Sequence, residues 1–167
     1  MARHAAFLRA INTPPRYVKM ARLREVFEGL GFEGVDTVIA SGNLVFTAER
    51  PDPVAIRAAL GDALGFDVPV FLRTAAEVEA AVSPPFDESD GPVEVSFLES
   101  PPAPDAVERL LERFDGGDDR LVVTGGHVWW QRLGPDSTYA ERDVADVLGT
   151  RTTRRSLATV RKVLAAL

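Results

Sequence analysis

Cysteine is missing from all 167 residues, which excludes disulfides, thiolate nucleophiles and cysteine-ligated zinc together. Lysine is nearly missing too, two against 17 arginines, a bias that points to a GC-rich genome rather than to function. Histidine is confined to His4 and His127. Neither has a ligand-type side chain two, three or four residues on, so no metal site and no cofactor is expected. No apolar run approaches the roughly 18 residues of a membrane span, and Met1-Ala-Arg-His4 lacks the apolar core of a signal peptide. The expectation is a soluble, cytoplasmic protein with no membrane partner. A net charge of −6 and a pI near 5.0 argue against a general nucleic-acid binder, whose affinity would come from clustered cations.

What is present is organised around Val38-Ile-Ala-Ser-Gly-Asn-Leu-Val-Phe46. It reads as a tight β-hairpin, two apolar arms about a Ser41-Gly42-Asn43 turn. Eighty-four residues on, Val122-Val-Thr-Gly-Gly-His-Val-Trp-Trp130 repeats the pattern, with His127 as polar filler of the sister turn. The same offset carries Leu23, Val26, Phe27 and Leu30 onto Val107, Leu110, Leu111 and Phe114. It also carries Leu60, Ala63, Leu64 and Gly65 onto Val144, Val147, Leu148 and Gly149. One offset aligning two helices, a hairpin and a glycine cap reads as internal duplication of a β-α-β-β-α unit.

Taken in order, His4–Ile11 is an apolar strand broken by Pro14-Pro15. Residues 20–30 have helical spacing and end before Gly31. Asp52-Pro53 opens a second helix as N-cap and first-turn proline, and Gly65 ends it. Val68–Arg73 returns to strand, completing the split β-α-β-β-α-β order of ferredoxin-like folds. Thr74 with Glu77 caps a short helix to about Val82. The Pro-rich, acidic stretch 83–92 reads as a linker between residues 1–82 and 93–167. In the second half Asp105 with Glu108, and Thr138 with Glu141, read as capping boxes. The expected fold class is α+β: two ferredoxin-like halves packed together, with an extra C-terminal helix.

Two differences separate the copies. The first strand-to-helix loop is about seven residues longer in copy one. After the glycine cap, copy one has a strand where copy two has Thr150-Arg-Thr-Thr-Arg-Arg155. The strands are apolar on nearly every residue, so both faces of each sheet should be covered.

Leu8-Arg-Ala-Ile-Asn12, Met20-Ala-Arg-Leu-Arg24, Gly31-Phe32, Ser41-Gly-Asn-Leu-Val-Phe46, Phe71-Leu-Arg-Thr74 and Thr159-Val160 together resemble the uncharacterised bacterial family known as domain of unknown function 1697. The resemblance covers nearly the whole chain and implies an α+β fold with no established activity. Two places depart from the family pattern. Pro14-Pro-Arg-Tyr17 replaces a Gly-Gly pair followed by basic and Asn residues, and Ser156-Leu157 stand where Asn-Trp is usual. These departures raise the question of a lost family site.

The site residues expected are Arg9, Asn12, Ser41, Asn43, Thr153, Arg154 and Arg155. Residues 152–156 are read as opening the last helix, where free N–H groups, hydroxyls and two guanidiniums could hold phosphate, sulfate or a carboxylate. Salt bridges to the chain's own acids are the competing reading there. Arg9 and Asn12 flank the long loop and could face a cleft beside the hairpin; otherwise Asn12 makes an Asx-turn and Arg9 meets an acid. No base is placed beside Ser41 by spacing, so a nucleophilic role is not expected. Asp115–Asp119 lacks calcium-loop spacing and reads as a solvated loop. Trp129 and Trp130 point to opposite faces, one of them able to fill a homodimer interface. These readings favour a non-catalytic module binding a small anionic or phosphate-bearing ligand. The alternatives are an enzyme acting on a phosphorylated small molecule, or a structural partner-binding protein.

Overall fold

The computed structural model describes residues 1–39 and 42–167. The chain forms two compact units, Met1–Glu79 together with Arg161–Leu167, and Ala80–Val160.

The first unit runs β1 (Ala2–Leu8), α1 (Met20–Gly29), β2 (Glu33–Thr37), β3 (Asn43–Ala48), α2 (Pro53–Leu64) and β4 (Val70–Thr74), and α3 (Ala75–Ala81) follows. Its sheet is antiparallel throughout, in the order β2-β3-β1-β4. Local chemistry sets several boundaries. Asp52 accepts the Val54 N–H at 2.9 Å ahead of Pro53, so α2 begins there, and Gly65 ends it in the left-handed conformation. Thr74 and Glu77 exchange bonds at the start of α3, the Thr74 N–H to Glu77 Oε2 at 2.8 Å and the Glu77 N–H to Thr74 Oγ1 at 3.3 Å.

The second unit runs β5 (Val93–Leu98), α4 (Pro104–Phe114), β6 (Asp119–Val123), β7 (His127–Arg132), α5 (Glu141–Leu148) and β8 (Thr152–Ser156), and α6 (Leu157–Ala166) follows. Its sheet order is β6-β7-β5-β8, again antiparallel. Two four-stranded antiparallel sheets, each with its helices, make an α+β fold.

Directly paired residues on neighbouring strands share a face. In the first unit Ala6, Leu8, Leu44 and Phe46 join Leu23, Phe27, Ile56 and Leu60 in one core, where Phe46 stacks on Phe32 at 4.6 Å. In the second, Leu98 and Val128 meet Leu110, Phe114, Val144 and Leu148. The opposite faces are buried as well. Every residue of Ala5–Leu8 and of Val95–Leu98 is buried, as strands without polar alternation require.

Several expectations need correction. The segment 152–156 does not open a helix: it is strand β8, paired with β5 from Leu98↔Thr152 to Glu94↔Ser156. Its polar sequence hid a ladder that only long-range pairing reveals. The last helix is not an addition peculiar to the second half, since α3 and α6 each follow the fourth strand of a sheet. His127 is no turn filler. It is the first residue of β7, buried, its ring edge-on to Trp129 at 4.4 Å. Asn43 likewise belongs to β3 rather than to the turn. α4 has Ala103 at its N-cap and Pro104 in its first turn, and α5 starts behind Ala140 with no side-chain cap. Glu141 is turned inward instead. β1 ends at Leu8, because Arg9 donates its N–H to the Pro69 carbonyl while Ala10 and Asn12 adopt positive φ.

Candidate functional site

The connection from β1 to α1 is held from within. Asn12 Oδ1 accepts the Val18 N–H at 2.7 Å, and the Arg16 N–H closes on the Thr13 carbonyl at 2.7 Å. The base of the loop packs on the hairpin, with the Leu8 N–H donating to the Gly42 carbonyl at 2.8 Å. A Cβ on Gly42 would stand 3.2 Å from Leu8 Cβ and 3.3 Å from Ile11 Cβ, and φ is 75°. A close approach in that conformation calls for glycine.

Beyond Asn12 the loop makes one wall of an open cleft of about 320 Å³. Tyr17, Val18, Lys19 and Arg22 line it on that side; Ala63, Leu64 and Phe66, at the end of α2, line it on the other. The Arg16 guanidinium lies 4.6 Å from the centroid of the Phe66 ring, a cation–π contact that fixes both at the rim. Tyr17 is 74% exposed. Arg22 reaches Glu25 at 2.9 Å, with both side chains half-exposed. Such a pair is worth ~1 kcal/mol at most, so Arg22 can be re-aimed cheaply. Lys19 is the N-cap of α1, with no side-chain capping bond and no acid in the first helical turn. Among the described residues neither Arg16 nor Lys19 has a carboxylate at ion-pair distance.

The sites expected from sequence fall elsewhere, in two groups. In the first unit Asn12 holds the loop, whereas Arg9 does not line the cleft. Asn43 is buried and donates from Nδ2 to the Val38 carbonyl at 3.0 Å, closing the hairpin. Ser41 lies outside the described residues. In the second unit Thr153 is buried and accepts from Arg155 Nη1 at 2.9 Å. Arg154 pairs with Glu94 at 3.2 Å and lies over the Trp130 ring at 5.5 Å.

Around Arg154 the second unit binds its polar groups to one another. Trp130 stacks on Tyr139 with centroids 4.3 Å apart, and its Nε1 donates to Asp119 Oδ1 at 2.6 Å. Asp119 also accepts from Ser137 Oγ at 2.6 Å and from the Thr138 N–H at 2.8 Å. Burial pushes the Asp119 carboxyl up, but those hydrogen bonds outweigh it and leave its pKa below the ordinary carboxylate range. On the helix side Ser96 Oγ donates to Glu141 Oε2 at 2.8 Å and meets the Tyr139 hydroxyl at 2.9 Å. Burial, with the Glu141 carboxylate beside it, raises the Tyr139 phenol well above its usual value.

Sheet register brings out a correspondence that sequence spacing concealed. Ala5 stands opposite Arg73 in one sheet, and Val95 opposite Arg155 in the other. Burial lowers both guanidiniums, Arg155 to about 10, against the attraction of Glu77 and Glu141 respectively. Both remain cations at neutral pH. Sequence reasoning missed Tyr17, Lys19, Arg22 and Phe66. One signal was available, since the first three lie in or just after the longer of the two first-strand-to-helix loops.

An α+β protein of two four-stranded antiparallel sheets, with a basic, aromatic cleft at its long first loop, is thus defined. The chain belongs to the family described as "Protein of unknown function (DUF1697)", which it matches over residues 1–129. Among solved structures it is similar to the conserved bacterial protein SP0830 from Streptococcus pneumoniae, with a TM-score of 0.79. The likeness covers 99% of this chain and 97% of that one at 21% identity, and shows the fold alone. No curated protein matches. No helix among the described residues is long and apolar enough to cross a membrane.

Proposed function

We propose that this protein is a non-catalytic binding module for a small anionic or phosphate-bearing ligand, held in the first unit by Lys19 and Arg22. One observation carries the reading: the charges lining that cleft are both positive, in a chain of net charge −6. Two cations beside the positive end of α1 are mildly destabilising until an anion joins them. By contrast Arg154, which the sequence made a candidate, already has Glu94 and two aromatic rings. Among the described residues no carboxylate or imidazole lines the cleft, so its chemistry suits holding an anion more than acid–base catalysis.

The scaffold under this reading is a duplicated ferredoxin-like unit. Supporting it, the strand orders β2-β3-β1-β4 and β6-β7-β5-β8 correspond position by position, and β3 and β7 start 84 residues apart (127 − 43). The site then arises where one copy lengthened a loop.

Thermal unfolding in rising inorganic phosphate, sulfate and sugar phosphates tests the reading, with Lys19→Ala alongside. A ligand bound by the native state alone raises the midpoint with concentration, by about 2.7 kcal/mol of stability at 100 times Kd. The expected result is a saturable rise that Lys19→Ala greatly weakens. A flat midpoint with every anion, or an equal rise in the variant, would remove the cleft from consideration.

A further inference from the structure

We infer that the ligand of this cleft is a mononucleotide, its base laid against Tyr17 and its phosphate held by Lys19 and Arg22. The inference rests on the anion-binding reading above and adds the chemistry of the ligand's other end.

Cations alone would hold any anion. The cleft has a second component that inorganic phosphate or a sugar phosphate leaves unused: aromatic surface on both of its walls, Tyr17 on the loop and Phe66 at the end of α2. The two rings differ in what they can still accept. Phe66 already has the Arg16 guanidinium over it, whereas Tyr17, 74% exposed, has a face available for stacking. A ring left so open on a loop that Asn12 holds in place costs hydration without gaining packing. A flat base supplies the missing contact, because every base has a π-face and stacks on aromatic side chains.

Size and charge narrow the class. The cleft's 320 Å³ lies at the lower end of small-molecule sites, about 300–1,000 Å³, suited to one base, one sugar and one phosphate rather than to a dinucleotide. A terminal phosphate near −2 at neutral pH matches the two lining cations. Val18, Ala63 and Leu64 add apolar lining to the cleft.

Isothermal titration of the full chain with AMP, GMP, CMP and UMP, set against ribose 5-phosphate, inorganic phosphate, adenosine and a short single-stranded oligonucleotide, tests it. At least one mononucleotide should bind about tenfold or more tighter than ribose 5-phosphate, the scale of one stacked base. Tyr17→Ala should erase that advantage and leave ribose 5-phosphate binding unchanged, while Lys19→Ala weakens both. Tyr17 is exposed, so its variant should unfold at the same midpoint as the parent, which checks that folding is intact. Equal binding of mononucleotides and ribose 5-phosphate would overturn the inference while sparing the anion site. Binding by none of the phosphates would overturn both. Binding of the oligonucleotide alone would overturn the inference in favour of a nucleic-acid partner.

Discussion

The two units turn the same strand order to different use, and the contrast is sharpest where each first strand hands over to its helix. In the second unit the connection from Leu98 to Pro104 is short and tied to the residues that lead into β8. Glu99 pairs with Arg151 at 2.8 Å, and the Ser100 N–H donates to Thr150 Oγ1 at 3.1 Å. α4 then opens with Asp105 in its first turn, paired with Arg109. In the first unit the corresponding connection is long, curls about Asn12, and delivers Lys19 and Arg22 to a helix start with no acid. The second unit pairs the charges at this connection, whereas in the first Lys19 has no carboxylate at ion-pair distance among the described residues. Exposed chemistry of this kind is commonly carried on a loop that a rigid scaffold positions.

Three changes probe that division, in descending order of expected effect. The largest should come from Gly91, in the second unit, where a Cβ would overlap the Arg132 carbonyl oxygen. Backbone cannot yield as a flexible side chain can, so Gly91→Ala should cost about 3–5 kcal/mol in denaturant unfolding. Gly126, with nothing within 4 Å of an added Cβ, is the control. Equal costs at the two positions would show that the second unit is not packed in the way described.

Next is Asp119→Ala, which strands the donors of Trp130, Ser137 and Thr138 and should cost about 3 kcal/mol at pH 7. The sign of its pH dependence follows from the lowered folded-state pKa. The stabilisation is complete above the unfolded carboxyl value, about 3.9, and is lost as pH falls through the lower folded value. The gap between parent and variant should therefore begin to shrink near pH 4 and keep narrowing as the pH falls further. A gap that stays constant into acid would contradict an ionised Asp119 as the acceptor.

The smallest is Asn12→Ala, which removes one hydrogen bond from the long loop. About 1 kcal/mol of stability should go, and with it part of the phosphate-induced rise in midpoint. A loss of stability with the full ligand effect retained would show that Asn12 serves the fold and not the cleft.

Legibility in the sequence followed the range of the interactions. α2 was readable from Asp52, Pro53 and Gly65 because its cap, first turn and stop are local. The bond of Asn12 was not, since its side chain reaches past an Asx-turn to the Val18 N–H six residues on. β8 was not, since Thr152-Thr-Arg-Arg-Ser156 carries no apolar alternation and becomes a strand through pairing with β5. Ser156 illustrates how a departure from a family pattern can be conservative. Its Oγ accepts the Thr159 N–H at 3.2 Å at the head of α6, the kind of bond an asparagine also makes. The cleft itself was hidden because Lys19 and Phe66 lie far apart along the chain and meet only when α1 and α2 pack together.

The first unit has one more property, which concerns its birth. It includes Arg161–Leu167, where Arg3 Nη2 donates to the Ala166 carbonyl at 2.6 Å and Val163 is fully buried. Synthesis proceeds from the N-terminal end, and domains usually fold in that order. Here the ribosome must make all of the second unit before it makes the residues that complete the first. Of the two units, the one that emerges earlier is the one finished last.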